Sequence, residues 1–364
     1  RLFVEKLRTC SIIYDFMENT NLENKMCKKQ IMSEILEYLI HGRNVLTPEL
    51  YREIVDMVSK NIFRKLPSSE IMFDVEEDHT FYDPSWPHLL LSYEILTQFL
   101  YLPDFKTSLA RHYINENFID QFMDLFLTRD GRERVTLQKI LLKIYRAFIV
   151  LRPYIRNRFY EYTFDEVYVI GLPDLMQFYS NIIPGFVFPL EAEHEIFFTN
   201  IFLLLHCGAM YPHYYKRYLD CIYELLLKNP KLYEKVVDVI IKYWPKTSSA
   251  KQLLFLKELN DLLTDIKSEE FEVICIDLFT LLADCFSKPN YYVFDGALDV
   301  LNNPTICSLI KTYTDTVYPI IVPVLLKSME AIHVPNKVKI QAIITKFRND
   351  SEKDFSFSLL KYEE

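Results

Sequence analysis

The sequence predicts an all-α protein, an α-solenoid built from stacked helix pairs, on three observations. Only six glycines occur in 364 residues, too few to punctuate the tight turns of a sandwich or barrel. Apolar residues recur at helical spacing almost throughout. The breaks between these runs leave helices of roughly 12–20 residues, often in pairs, with no dominant domain boundary. HEAT-like or armadillo-like units of about 40–47 residues would give roughly eight repeats across residues 1–364 as a single domain. A compact helical bundle is the competing architecture, and the number of helices argues against it.

Taken in order, Ile31, Ile35, Leu36 and Leu39 mark an amphipathic helix that follows a polar break at Glu18–Asn24. A long break at Leu66–Asp83 and a shorter one at Asp104 precede the stripe Phe118, Phe122, Met123 and Phe126. Gly131 marks the next break. Further breaks fall at Gly171–Pro173, Pro184–Pro189, Asn229–Pro230, Pro245–Ser249, Lys288–Asn290 and Asn302–Pro304. Proline and glycine interrupt the backbone ladder at most of them. Leu254, Leu256, Leu259, Leu262 and Leu263 supply the apolar face of a helix between two of these breaks.

Hydrophobic content of 50% with 25% charged residues allows a large core and argues against disorder. The seven cysteines are scattered and no CxxC occurs, so buried free thiols in a reducing compartment are expected instead of a disulfide framework or zinc site. The apolar runs Val317–Leu326 and Ile201–Leu205 are short of the roughly 18 residues a membrane span needs. A soluble intracellular protein of cytoplasm and nucleus is the expectation. None of the eight histidines belongs to HExxH or to a set at metal-ligand spacing, and no GxSxG, P-loop, GxGxxG or kinase set is present. With no catalytic residues, metal or cofactor indicated, an interaction protein is expected and not an enzyme.

Two segments stand out in a chain of net charge −9. Residues 129–158 carry nine basic residues (Arg129, Arg132, Arg134, Lys139, Lys143, Arg146, Arg152, Arg156, Arg158) against Asp130 and Glu133, a candidate docking site for something negative. At about 100° per residue, Leu137, Ile140, Leu141, Ile144, Phe148 and Leu151 form a core face, with Lys139, Lys143 and Arg146 opposite. Between them runs a mixed stripe of Leu142, Tyr145, Ile149 and Arg152. It suits either the wall of a groove for an extended peptide or packing between repeats. Nucleic acid is the weaker partner, since no extended basic stripe or RNA-binding signature accompanies the island. The second segment, FDVEEDHTFYDPSWPH at 73–88, is acidic and aromatic. It lacks the DxDxDG spacing and turn glycine of a calcium loop, leaving a solvated acidic loop or a docking loop for a basic surface.

An ordered set of longer motifs then carries a resemblance. FDVEEDHTFYDPSWPHLLLSYE (73–94), RDGRERVTLQKILLKIYRAFIVLRPYIR (129–156), GFVFPLEAEH (185–194), KYWPKTSSAKQLLFLKEL (242–259) and LNNPTICSLI (301–310) are similar to the B-prime family of regulatory subunits of protein phosphatase 2A. Weaker similarity extends to almost the whole chain. The resemblance implies a curved superhelix of HEAT-like repeats, non-catalytic in itself, that assembles with phosphatase scaffold and catalytic subunits. It also implies recruitment of substrates through short Leu-x-x-Ile-x-Glu segments.

By the same resemblance, Glu76, Glu77 and Asp78 are candidates to approach the catalytic subunit. Lys143, Tyr145, Arg152, Phe178, Ile182 and His194 occupy positions of the peptide groove, with Trp86 and Tyr243–Trp244–Pro245 expected as packing anchors. Phe178 replaces an aliphatic residue, only Glu193 remains of an acidic pair before His194, and three further positions depart from the family pattern. Lys143 replaces an arginine and loses its planar fork, Leu142 replaces a histidine donor, and Glu191 stands where the family has a lysine. A groove with retained apolar anchors and less preference for downstream acids is the expectation. The rival from another class is an autonomous helical-repeat adaptor without phosphatase contacts; a helical enzyme is a distant third.

Overall fold

The computed structural model describes residues 2–17, 20–42, 45–66, 81–164, 170–208, 210–288, 290–330 and 337–363. Among them lie nineteen α-helices and no strand. The chain divides into two units, Arg1–Ile182 and Ile183–Glu364.

The first unit holds α1 (Leu2–Cys10), α2 (Leu22–His41), α3 (Pro48–Ile62), α4 (Trp86–Tyr101), α5 (Thr107–Ala110), α6 (Glu116–Asp124), α7 (Gly131–Ala147), α8 (Arg152–Phe164) and α9 (Leu172–Ile182). Here α2, α4, α7 and α9 pack in succession as one row, while α1 pairs with α3 and α6 with α8. The second unit holds α10 (Ala192–Asn200), α11 (Tyr211–Lys228), α12 (Leu232–Lys242), α13 (Ser249–Leu262), α14 (Ser268–Ser287), α15 (Tyr291–Leu301), α16 (Pro304–Ile310), α17 (Thr314–Glu330), α18 (Lys337–Asp350) and α19 (Glu352–Glu363). Its rows alternate: α11, α13 and α15 form one, and α12, α14, α17 and α19 another. Such rows arise when amphipathic helix pairs cannot bury their apolar faces alone and must stack on their neighbours, which is the logic of a helical-repeat solenoid.

Local chemistry explains why the breaks fall where the sequence places them. The Ser248, Asn290 and Asn303 side chains accept hydrogen bonds from backbone N–H groups in the first turns of α13, α15 and α16, satisfying donors that a helix start leaves open. Gly171, just before α9, lies so close to α6's continuation that a Cβ there would stand 2.5 Å from the Phe126 carbonyl oxygen. Only glycine lets α9 start at this spot. α17, by contrast, continues through Pro319 and Pro323; its packing between α14 and α19 outweighs the interrupted ladder. All seven cysteines are free thiols, with Cys10, Cys221, Cys275 and Cys285 buried.

Two polar clusters sit inside these cores. In the second unit, Glu258 on α13 accepts from His206 Nε2 at 2.9 Å and from the Tyr211 hydroxyl, and the Tyr218 hydroxyl lies 2.8 Å from His206 Nδ1. All four side chains are fully buried. In the first unit, Lys28 on α2 is buried and its Nζ donates to the Ile12 carbonyl at 2.6 Å and to Asn61 Oδ1 at 2.5 Å. Asn61 in turn donates to the Cys10 carbonyl at 3.0 Å, so Lys28 ties the end of α1 to α2 and α3 through neutral acceptors.

Burial pulls the Lys28 ammonium down to about 8 from an ordinary 10.5. Between about pH 8 and 10.5 the unfolded chain therefore binds a proton that the folded chain has released, and stability rises with pH, by on the order of 3 kcal/mol over the whole window. Urea unfolding of wild type and Lys28→Met at a series of pH values checks this. The wild type should gain on the variant as pH rises above 8, and parallel pH dependences would remove Lys28 as the cause.

Candidate functional site

α7 is the element that builds the site. It starts at Asp130, whose carboxylate accepts from the Arg132 N–H at 3.0 Å and also takes the Arg132 guanidinium, with Nη2 at 2.6 Å. Lodged between α4 and α9, α7 buries Leu137, Ile140, Leu141 and Ile144, and Phe148 and Leu151 are buried just beyond it. Lys139 and Arg146 are exposed and Lys143 is half-buried. The core face and the basic face thus fall as the angular reading placed them.

The continuation of that helix through Arg152 is corrected. α7 stops at Ala147, Phe148 leaves the helical region (φ −107, ψ 83), residues 149–151 make one 3-10 turn, and α8 starts at Arg152. The cause is Pro153, which has no N–H to donate back to Ile149 and whose ring would collide with that carbonyl in a continuous α-helix. Ile149 and Val150 are consequently pushed outward, 69% and 83% exposed. Arg152 reaches back over the break. Its Nε donates to the Tyr145 carbonyl at 2.9 Å and its Nη2 to the Arg146 carbonyl at 3.2 Å, carbonyls that a helix C-terminus leaves without a partner. The guanidinium also lies 5.3 Å from the centre of the Tyr145 ring.

Tyr145 is itself only 7% exposed. Its ring meets Phe178 of α9 edge-on at 5.6 Å, and Arg156 Nη1 donates to its hydroxyl at 3.3 Å. Phe178 and Ile182 of α9 are buried, and Phe178 lies against the Tyr145 ring. Leu142 is half-buried. Tyr145 is thus wedged between Phe178 and the Arg152 guanidinium, with Arg156 on its hydroxyl and Ile149, four residues on, exposed.

Two contributors were missed from the sequence. Arg156 lies four residues after Arg152 on α8, so helical spacing could have signalled it. Tyr101, at the end of α4, is 58% exposed and its ring centre lies 3.6 Å from Lys143 Nζ; no local pattern announces a pairing across 42 positions.

In the second unit, His194 is buried on α10 and stacks on Phe186 at 3.9 Å with the rings 2° from parallel. Glu191 is exposed and immediately precedes that helix. Trp86 and Trp244 are packed residues, Trp86 half-buried beneath the Arg132 guanidinium at 5.0 Å and Trp244 buried against Phe255.

The acidic segment's Glu76, Glu77 and Asp78 lie outside the described residues. The chain on either side is anchored by a buried network. Arg64 donates from Nη1 and Nη2 to the two oxygens of Glu133, each at 2.7 Å, and from Nη2 to Asp83 Oδ2 at 2.9 Å. Tyr93 donates to Glu133 Oε1 at 2.6 Å, and the Asp83 N–H donates to Asp130 Oδ2 at 3.0 Å. Burial alone would lower the Arg64 pKa, but the doubled bond to Glu133 and that carboxylate's charge outweigh it and raise it.

The family comparison and the curated relatives agree on one family. Residues 1–343 match the Protein phosphatase 2A regulatory B subunit (B56 family), also called the B-prime family, and the chain belongs to it. It is 37% identical over 340 residues to the rabbit (Oryctolagus cuniculus) serine/threonine-protein phosphatase 2A 56 kDa regulatory subunit delta isoform, covering 91% of this chain and 58% of the relative. The human alpha isoform is 36% identical over 325 residues, 88% of this chain and 67% of the relative. The Caenorhabditis elegans regulatory subunit pptr-1 is 36% identical over 330 residues, 89% of this chain and 61% of the relative. The chain thus spans under three-fifths of the length of the delta isoform it matches. The relatives it matches are named as regulatory subunits. An engineered protein of known structure aligns over 98% of the chain and 92% of its own at 12% identity and a TM-score of 0.37, too loose a likeness to carry any argument.

Proposed function

We propose that the chain acts in cytoplasm and nucleus as a non-catalytic regulatory subunit of a protein phosphatase 2A holoenzyme. It assembles with a scaffold and a catalytic subunit and recruits substrates bearing short Leu-x-x-Ile-x-Glu-like segments to the surface between α7, α8 and α9. Family membership supports the phosphatase association. The observation that carries the substrate site is Tyr145, held between the Phe178 ring and the guanidinium groups of Arg152 and Arg156, with Ile149 exposed four residues on. Lys143, with its ammonium on the Tyr101 face and no planar fork, receives the glutamate of such a segment as a point charge.

Titration of a fluorescent Leu-x-x-Ile-x-Glu peptide into the wild type and variants tests the site. Tyr145→Ala/Arg152→Ala should weaken binding roughly 30-fold, the loss of about 2 kcal/mol expected of central anchors. Because Arg152 also closes the end of α7, Ile149→Glu serves as the second variant. That side chain is mostly in solvent, so the fold survives and binding should still fall. Affinity unchanged in Ile149→Glu and the double variant would place the motif elsewhere. Co-purification separates this reading from an autonomous adaptor: wild type and Ile149→Glu should both recover scaffold and catalytic subunits, and their reproducible absence from the wild type would favour the adaptor.

A further inference from the structure

Of the seven cysteines, only Cys27 and Cys207 are exposed. Cys27 sits beside Lys28, whose ammonium is already bonded to the Ile12 carbonyl and to Asn61. Cys207 has different company. It closes the 3-10 turn Phe202–Cys207 in the second unit, and the Gly208 N–H donates back to the Leu205 carbonyl at 3.1 Å. Lys251, in the first turn of α13, reaches this turn: its Nζ donates to the Gly208 carbonyl at 3.2 Å, one residue beyond the thiol. The centres of the Tyr211 and Phe255 rings lie 5.6 and 5.8 Å from that nitrogen. Lys6, Lys60, Lys288, Lys311 and Lys339 each hold a carboxylate, whereas among the described residues none pairs with Lys251. Burial lowers the Lys251 pKa, and the Cys207 thiol is the neighbour that opposes the shift. Burial raises the Cys207 pKa, against the pull of Lys251 and Lys242. The turn therefore holds an exposed thiol next to an amine that gives up its proton more readily than a lysine in water.

We propose that Cys207 and Lys251 form an acyl-transfer pair, in which the thiol accepts an acyl group from a coenzyme A-type thioester and passes it to the Lys251 amine. In the first step the Lys251 amine takes the thiol proton and the thiolate, the nucleophilic form, attacks the thioester carbonyl. The coenzyme thiolate leaves and recovers that proton from Lys251. Cys207 then carries the thioester beside a neutral amine. In the second step Nζ attacks the Cys207 thioester carbonyl, the carbon–sulfur bond breaks, and the departing thiolate takes the proton that the amine sheds. The donor's carbon–sulfur bond is exchanged for a carbon–nitrogen bond, Cys207 is regenerated, and no oxidant is consumed. Holding amine and thiol on one turn makes the second step intramolecular, which is where its rate advantage arises. The product is an amide, so the positive charge beside the Gly208 carbonyl is lost. Lys246 is exposed in the loop before α13 and serves as the internal standard for direct acylation.

The test incubates the full chain with acetyl-CoA at mildly alkaline pH, without added thiols, and follows acetyl-lysine by peptide mass spectrometry. Lys251 should be acetylated about ten-fold faster than Lys246. Cys207→Ser keeps the size of the side chain and should bring Lys251 down to the rate of Lys246. Lys251→Arg keeps the charge but removes the acceptor amine, so a hydroxylamine-labile acetyl group should accumulate on Cys207. Circular dichroism of both variants should match the wild type. Equal rates at Lys251 and Lys246 in the wild type overturn the proposal. A Lys251 rate unchanged in Cys207→Ser also overturns it and assigns the reaction to direct attack by the amine. Acetylation of Lys242 in place of Lys251 overturns the choice of acceptor.

Discussion

Arg64→Met should destabilise the first unit by about 3–5 kcal/mol, the cost of leaving a buried carboxylate without its counter-charge. Glu133 is fully buried on α7, and two of the three hydrogen bonds it accepts come from the Arg64 fork. The third comes from Tyr93 on α4, so one carboxylate holds together the end of α3, the row helix α4 and the start of α7. Urea unfolding provides the measurement, and hydrogen exchange should show protection lost in α3, α4 and α7 before other helices. Arg64→Met/Glu133→Leu/Tyr93→Phe should recover much of the loss, because an apolar cluster leaves no charge or donor stranded. A single variant within about 1 kcal/mol of wild type would show that solvent reaches Glu133 and that the pair is weak. Asp83 is also bound by Arg64, so the same substitution loosens the anchor on which the chain returns after residues 67–80.

Glu258→Leu should destabilise the second unit by roughly 3 kcal/mol. The substitution strips the acceptor from two fully buried donors at once, His206 Nε2 and the Tyr211 hydroxyl, and each stranded donor costs about 1–3 kcal/mol. The leucine partly offsets this by filling the space. Burial, the larger cause of the raised Tyr211 pKa, persists in the variant, so the tyrosine does not relieve the loss by ionising. Glu258→Gln should be milder, since one amide oxygen still accepts, but its NH2 group then opposes a donor. Hydrogen exchange over residues 202–262 localises the effect. A stability change under about 1 kcal/mol for Glu258→Leu would mean that water reaches the cluster and replaces the carboxylate.

Much of the helical layout could be read from sequence because it rests on local rules. Asn229–Pro230, Lys288–Asn290 and Asn302–Pro304 each end or start a helix by capping or by a missing N–H, and neither effect needs a partner far along the chain. The face of α7 that holds Leu137, Ile140, Leu141 and Ile144 follows from a period of 3.6. The break after Ala147 was legible in principle, since Pro153 forbids a continuous helix, but the apolar run from Ile140 to Leu151 masks it. Periodicity extended through that break puts Arg152 on a stripe with Tyr145. In the fold, Arg152 instead folds back onto the carbonyls that the break exposes.

The sequence by itself determined the all-α class, the rhythm of helix pairs, the core and basic faces of α7 and, through its ordered motifs, membership of the B56 family. Each depends on side-chain type at fixed spacing along one helix, or on a string of motifs. Only the tertiary structure decided that Tyr145 is nearly buried against Phe178, that Lys143 rests on Tyr101, and that Glu133 is matched by Arg64 from 69 positions away. Whether a charge is neutralised or left free depends on which distant side chain the packing of rows brings within about 4 Å. That separates Arg132, Arg134 and Arg158, which are paired within the fold, from Lys139, Lys143 and Arg146, which have no ion-pair partner among the described residues.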